Sequence, residues 1–181
     1  PFAHALIKNI DVSKAKALLG VKAVLTGEQA YQKLGLYIVD KPILAVGKVR
    51  YFGEAVAAVA AVSIDVAEKA IELIEVEYEP LPVLLDVIEA VKPNPILVHE
   101  DLGNYKTIPG VFFPEAHTNI SNHFKLRKGD IKKGFEEADL IIENKFNVPQ
   151  VLHVPLETHA VIVKWGTGDK IKIWSSAQSP Y

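Results

Sequence analysis

The 181 residues contain no cysteine and no methionine. Without thiols the chain forms no disulfide, offers no thiolate nucleophile, ligates no iron–sulfur cluster of its own and builds no zinc finger. The same absence suits a reducing cytoplasm, which is the expected location. Charge of one sign is also missing: 20 Lys and Arg stand against 22 Asp and Glu, a formal net charge of −2. No strong field therefore draws the chain to nucleic acid or to an anionic membrane. Long hydrophobic runs are absent too. The longest, Ala55 to Val62, is eight residues, well short of the roughly 20 that a spanning helix needs. Neither GxGxxG nor GxxxxGK occurs, so no phosphate loop is expected, and no GxSxG elbow points to a hydrolase. The opening Pro1-Phe2-Ala3-His4 is neither an initiator nor a signal peptide. With Tyr181 falling directly after a strand-like run, both ends read as cuts through a longer polypeptide.

What is present is the profile of a folded protein, 49% apolar and 23% charged. Ala5 to Ile10 alternates as a strand. Asp11 or Ser13 can cap a short helix over Lys14 to Leu19, which Gly20 would end. Val21 to Leu25 is a second strand, and Glu28 to Leu34 suits one or two helical turns. Val49 to Phe52 and Ala55 to Val62 follow as strands, the second apolar enough to be covered on both faces. Asp65 is the expected cap of a helix carrying Val66, Ala67, Ala70, Ile71 and Ile74 inward. Glu75 to Glu79 then alternates as a strand, giving a split strand–helix–strand unit. Its acidic face, with Glu68, Glu72, Glu75 and Glu77, reads as solvated surface or as an edge offered to a partner. Asp86 to Val91 is a short helix before Pro93 and Pro95.

From Asp101 to Asn119 periodicity is lost and Pro109-Gly110 marks a turn, so this stretch reads as a linker. Beyond it, Ser121 to Arg127 and Asp139 to Val148 suit strands flanking a helix capped by Asp130. Thr158 to Trp165 and Lys170 to Ser175 flank Gly166-Thr167-Gly168-Asp169, a hairpin signal.

Few residues invite chemistry. His153, Glu157 and His159 share parity and would lie on one face of a continuous strand, as two histidines and a carboxylate holding a metal do. Pro155 interrupts that strand, and hydrogen bonds fixing a turn explain the three more simply. Ser175, Ser176 and Ser179 near His159 lack any oxyanion-hole loop. Gln178 alone reads as a turn or surface residue, although a primary amide both donates and accepts and so suits a place beside a metal-bound oxo or sulfido group.

Ordered stretches along nearly the whole chain carry a resemblance. They are Pro1-Phe2-Ala3-His4-Ala5 with Ile10 to Ala15, Gly20 to Thr26, Val49-Arg50-Tyr51-Phe52-Gly53-Glu54 with Ala55 to Val59, Ile74 to Pro82, and Leu97-Val98-His99-Glu100-Asp101. The rear half adds Lys128-Gly129-Asp130, Pro155-Leu156-Glu157-Thr158-His159 and Trp174-Ser175-Ser176-Ala177-Gln178-Ser179-Pro180. Together these resemble the front portion of the molybdenum-binding large subunit of the xanthine dehydrogenase, aldehyde oxidase and aerobic carbon monoxide dehydrogenase family.

The resemblance implies an α+β fold: an α/β hammerhead domain with mixed sheets and packed helices over residues 1–100, a linker over 101–119, and the incomplete start of a molybdopterin-binding α+β domain over 120–181. It places Gln178 at the position of an amide that approaches an apical ligand of molybdenum, and gives Glu157 at most a supporting role. Ala177 departs from the commoner Thr or Phe. No catalytic residue and no metal ligand is expected in this chain, because the family's glycine-rich loop, its substrate-orienting residues and its basic Glu would all lie beyond Tyr181. The implied activity is a molybdopterin-dependent hydroxylation for which this chain supplies scaffold and one amide, inactive by itself. The implied cofactors are molybdopterin or its cytosine dinucleotide, with 2Fe-2S and FAD on partner subunits or domains. The implied partners are the remainder of the large subunit, the iron–sulfur and flavin subunits and a small-molecule substrate of aldehyde or carbon monoxide type, with a homodimer left open and neither nucleic acid nor membrane. Two other readings stand beside it: a non-catalytic interaction module surviving as a truncated gene product, and an independent metal enzyme using His153, Glu157 and His159.

Overall fold

A computed structural model describes residues 1–177, and two compact units divide it at Arg127 and Lys128. It is a mixed α+β structure of small antiparallel sheets and short helices. No helix among the described residues is long and apolar enough to cross a membrane.

The first unit opens on β1 (Ala5–Asp11), α1 (Ser13–Ala17) and β2 (Val21–Thr26). Asp11 Oδ1 accepts from the Ser13 N–H at 2.8 Å, so the aspartate braces the entry to α1 from just outside it. Gly20 takes φ +97°, the left-handed turn that lets the chain reverse into β2. Two short strands, β3 (Lys33–Leu34) and β4 (Lys41–Pro42), pair with each other. The helical turns expected over Glu28 to Leu34 therefore give way: hydrogen bonds to the Thr26 carbonyl hold residues 29 and 30 in a turn, and the chain then extends.

β5 (Lys48–Val49) and β6 (Ala57–Ala61) follow. The expected strand over Val49 to Phe52 is cut at Arg50 because the Glu54 carboxylate accepts from the Arg50 N–H at 2.6 Å and folds the intervening residues into a turn. β6 pairs antiparallel with β2. It is not covered on both faces as its composition suggested: Ala58 and Ala60 are exposed, while Val59 joins the core. An alanine side is small enough to leave in water at little cost.

Next come α2 (Ile64–Glu72) and β7 (Glu75–Pro80). Ser63, not Asp65, caps α2, its Oγ accepting from the Val66 N–H at 3.4 Å. Asp65 sits in the first turn, where its charge still favours the helix dipole. β6 and β7 enter different sheets: β7 pairs antiparallel with β1, whose other edge carries β5. The core falls into two small groups. Ala5, Ala45 and Val49 pack with Phe2, Ile7, Val56 and Tyr78. Ala15 of α1 and Ala70 of α2, both wholly buried, meet Val24 of β2 and let the two helices close on the sheet. A last helix, α3 (Val87–Ala90), is capped by Asp86 Oδ1.

The stretch 101–119 is held to this unit. Leu102 is buried in a single 3₁₀ turn, and Thr107 bridges to Ile38. Ser121 to Arg127 forms no strand, since no neighbour among the described residues supplies a ladder for it.

The second unit contains α4 (Ile131–Glu136), capped by Asp130 Oδ1 at the Lys133 N–H, and a hairpin of β8 (Val161–Trp165) and β9 (Ile171–Ser175). Gly168 and Asp169 take φ +67° and +58°, and the Gly166 N–H donates to the Lys170 carbonyl at 2.7 Å. Asp139 to Val148, expected as a strand, has no regular structure. All described residues of this unit are exposed, because a two-stranded ribbon has no second layer to pack on.

Candidate functional site

Two of the stretches that carry the resemblance, Val49 to Glu54 and Leu97 to Asp101, meet in the first unit. Arg50 follows β5 and turns its guanidinium along the backbone: Nε donates to the Val98 carbonyl at 3.1 Å and Nη1 to the Lys48 carbonyl at 3.4 Å. Glu54 closes the turn by accepting from the Arg50 N–H, and Gly53 at φ +84° permits it. So Val49 to Glu54 and Leu97 to Asp101, far apart in sequence, form one structure.

His99 stands at its centre. Its Nδ1 is 3.0 Å from the Tyr105 hydroxyl, and the two rings meet edge to face. Burial first, and then the Arg50 charge, hold the imidazole below its ordinary range. Burial pushes the Tyr105 phenol up. The Lys33 ammonium lies 4.4 Å from the centre of the Tyr105 ring, a cation–π contact. Lys48, a buried side chain, pairs with the Glu100 carboxylate. A cavity of about 210 Å³ is lined by Asp40, Arg50, Glu54 and His99 among others. A second, about 280 Å³, lies between His99, Leu102 and Asn119.

Chemically this assembly is a clasp: its guanidinium, carboxylate and imidazole groups are engaged by protein partners, and no nucleophile and base are paired in it. In sequence these stretches are signs of kinship only, and His99, Tyr105 and Arg50 had no expected part. The signal lay in their side chains: an Arg read as strand, a His at the end of the hammerhead stretch and a Tyr in the expected linker.

The residues singled out for chemistry are placed differently. Gln178 lies outside the described residues. His153, Glu157 and His159 occupy an exposed stretch without regular structure. No group of three or more His, Asp or Glu among the described residues is arranged to hold a metal ion. Ser176 extends the hairpin: its Oγ accepts from the Ala160 N–H at 3.0 Å, and its own N–H donates to the Ala160 carbonyl at 3.1 Å. Ser175 Oγ accepts from the Ala177 N–H.

Comparison with known proteins places these features. Residues 1–82 match the model of the aldehyde oxidase and xanthine dehydrogenase a/b hammerhead domain, and residues 112–181 match that of the molybdopterin cofactor-binding domain. The chain belongs to the aldehyde oxidase and xanthine dehydrogenase family. It is 38% identical to the carbon monoxide dehydrogenase large chain of Afipia carboxidovorans, over 99% of this chain and 23% of that one. It is 34% identical to a probable xanthine dehydrogenase subunit from Bacillus subtilis, over 87% of this chain and 19% of the relative. Among solved structures, the Cu,Mo-CO dehydrogenase in its carbon monoxide reduced state superposes with a TM-score of 0.79 at 34% identity, covering 99% of this chain and 23% of that one. The chain thus spans about a fifth of the length of these relatives.

The described residues do not by themselves cradle a molybdopterin group. In the second unit no buried side-chain polar atom among them waits for a partner, and every side chain is exposed. The candidate contact, Gln178, lies beyond them.

Proposed function

We propose that this chain acts as the front of a molybdopterin-dependent hydroxylase large subunit, with residues 1–100 a hammerhead scaffold, 101–119 a connector and 120–181 the start of the cofactor-binding region. The observation that carries the reading is the order of the two matched domains along one chain, together with similarity to a carbon monoxide dehydrogenase large chain over 99% of this chain. Bound in the complete enzyme, the cofactor would supply the oxidative hydroxylation chemistry. This chain's share is positional. The clasp of Arg50, Glu54 and His99 holds the hammerhead together, and Gln178 offers one amide toward the cofactor, as molybdopterin or its cytosine dinucleotide.

Relatives named for carbon monoxide and for xanthine match the same residues, so this region is common scaffold and substrate choice belongs elsewhere. Our reading favours an aldehyde or carbon monoxide substrate, cytoplasmic location, and partners carrying 2Fe-2S and FAD. The test is to recover the tagged chain from its native cells and measure intact mass, molybdenum and co-purifying chains. Molybdenum near one per complex, with iron–sulfur and flavin subunits attached, is the expected result. A molybdenum-free chain without such partners would overturn the activity and leave a non-catalytic module.

A further inference from the structure

β7 pairs with β1 on one side and with no strand on the other among the described residues. Which of its peptide groups face the open side follows from one bond. The Leu81 N–H donates to the His4 carbonyl at 3.0 Å, so Leu81 points toward β1. Peptide groups alternate along a strand. Glu75, Glu77 and Glu79 therefore also point inward to the ladder, and Val76, Tyr78 and Pro80 point outward. Pro80 fits, since a residue without an N–H loses nothing on the open side. The register shift that accompanies this pairing lies in β1, between Ile7 and Asn9, and leaves the alternation of β7 intact. No hydrogen bond from outside the ladder reaches the N–H or C=O of Val76 or Tyr78 among the described residues.

Side chains divide the other way. Val76 and Tyr78 are half-buried, and Tyr78 packs on Phe2. Glu75, Glu77 and Glu79 are exposed on the opposite face. Lys14 pairs with Glu75, and Lys8 pairs with Glu79 at 3.1 Å. Glu77, between them, has no ion pair among the described residues. We infer that the free edge of β7 is a docking site for an extended segment of a partner polypeptide, which pairs with Val76 and Tyr78 and sets a Lys or Arg opposite Glu77.

The occupant follows from chemistry. A strand added there takes up the outward N–H and C=O groups. Its residues opposite Val76 and Tyr78 join the half-buried face and are apolar or β-branched. The residue opposite Glu77 joins the acidic face, where a cation is favoured and a carboxylate is opposed. A second copy of this chain is the wrong partner: antiparallel self-pairing about Glu77 in this register sets carboxylate against carboxylate.

The experiment titrates the full chain with a capped peptide of about six residues alternating Lys with Val or Thr, followed by calorimetry and by amide exchange. The expected result is saturable binding that slows exchange at Val76 and Tyr78, weakens with salt, and falls about tenfold in Glu77→Lys. That variant should in turn prefer the matching Glu peptide. A charge swap of this kind needs no change in fold, and the circular dichroism of the variant checks that. Absence of binding, binding that leaves Val76 and Tyr78 unprotected, or equal binding of the Lys peptide to the native chain and to Glu77→Lys overturns the proposal.

Discussion

Lys48 and Glu100 form an ion pair of unequal burial: the lysine side chain is 7% exposed and the glutamate side chain 56%. The lysine has left water almost completely, and the glutamate reaches it from the rim. Burial alone would push the Glu100 carboxyl up, but the Lys48 hydrogen bond and charge, a bond from its own backbone N–H and the Arg50 charge together hold it below its ordinary range. The pair ties β5 to the stretch after Val98 beside the Arg50 bond to the same segment.

This asymmetry predicts unequal mutants. Glu100→Ala strands a buried ammonium, which in a fully buried pair costs about 3–5 kcal/mol. With the glutamate half in water the expected loss is about 1–2 kcal/mol. Lys48→Met leaves only an exposed carboxylate and fills the space with apolar atoms, so it should be near neutral. Urea midpoints of the two variants decide the matter, and equal losses would contradict it.

His99 predicts an acid dependence. Its folded-state pKa lies below the ordinary 6.5 because burial and Arg50 disfavour the imidazolium. The unfolded chain therefore takes a proton that the folded chain refuses. Stability is complete above about 6.5 and declines as pH falls through that value toward the folded pKa. Glu100, held below the ordinary 4.5, adds a second loss at lower pH. Thermal melts between pH 7.5 and 4 should show the first decline in the native chain and a shallower one in His99→Gln. Parallel curves would place the decline on other groups.

The elements of both units were partly legible, but the pairing in the first was not: β6 and β7, read as one strand–helix–strand unit, enter different sheets. β1, β2, β7 and the β8–β9 hairpin were set by alternation or turn chemistry, α2 by spacing although its cap is Ser63 and not the expected Asp65, α3 by the prolines that follow it, and α4 by its Asp130 cap. What was not legible depended on long-range partners. The turn at Arg50 needs Glu54, and the short pair β3–β4 is too brief to show a period. Residues 121–127 and 139–148 alternate as strands do, yet no ladder receives them among the described residues. The clasp was hidden for the same reason: nothing local tells that Arg50 bonds the carbonyl of Val98, or that Tyr105 folds back on His99. Family membership was legible because motif order survives without any contact being known.

Two glycines separate crowding from backbone strain. A Cβ on Gly27 would lie 2.3 Å from the Ala45 carbonyl oxygen and 2.8 Å from that of Leu44. Gly47, at φ +69°, has nothing within 4 Å of the Cβ position. Gly27→Ala must push the loop away from the end of β2 and should cost about 2–3 kcal/mol. Gly47→Ala incurs only the strain of the left-handed backbone, about 1 kcal/mol. Denaturant melts of the pair should preserve that order.

Asn119 tests whether the region read as a linker is structural. Its Oδ1 accepts from the Val98 N–H at 3.0 Å, and its Nδ2 donates to the carbonyls of Ala90 and Ile96 at 3.2 and 2.9 Å. One amide thus joins the end of α3 to the stretch that Arg50 and His99 grip from the other side. Asn119→Ala removes all three bonds and leaves the partly buried Val98 N–H without an acceptor, a loss of about 1–3 kcal/mol. Asn119→Asp keeps the acceptor but replaces both donors with carboxylate oxygen facing two carbonyls, so it should be no better. Amide exchange ought to rise first at Val98 and His99 in both variants while β2 and β6 stay protected. If 101–119 were a free tether, neither variant would change exchange at Val98 or the melting temperature.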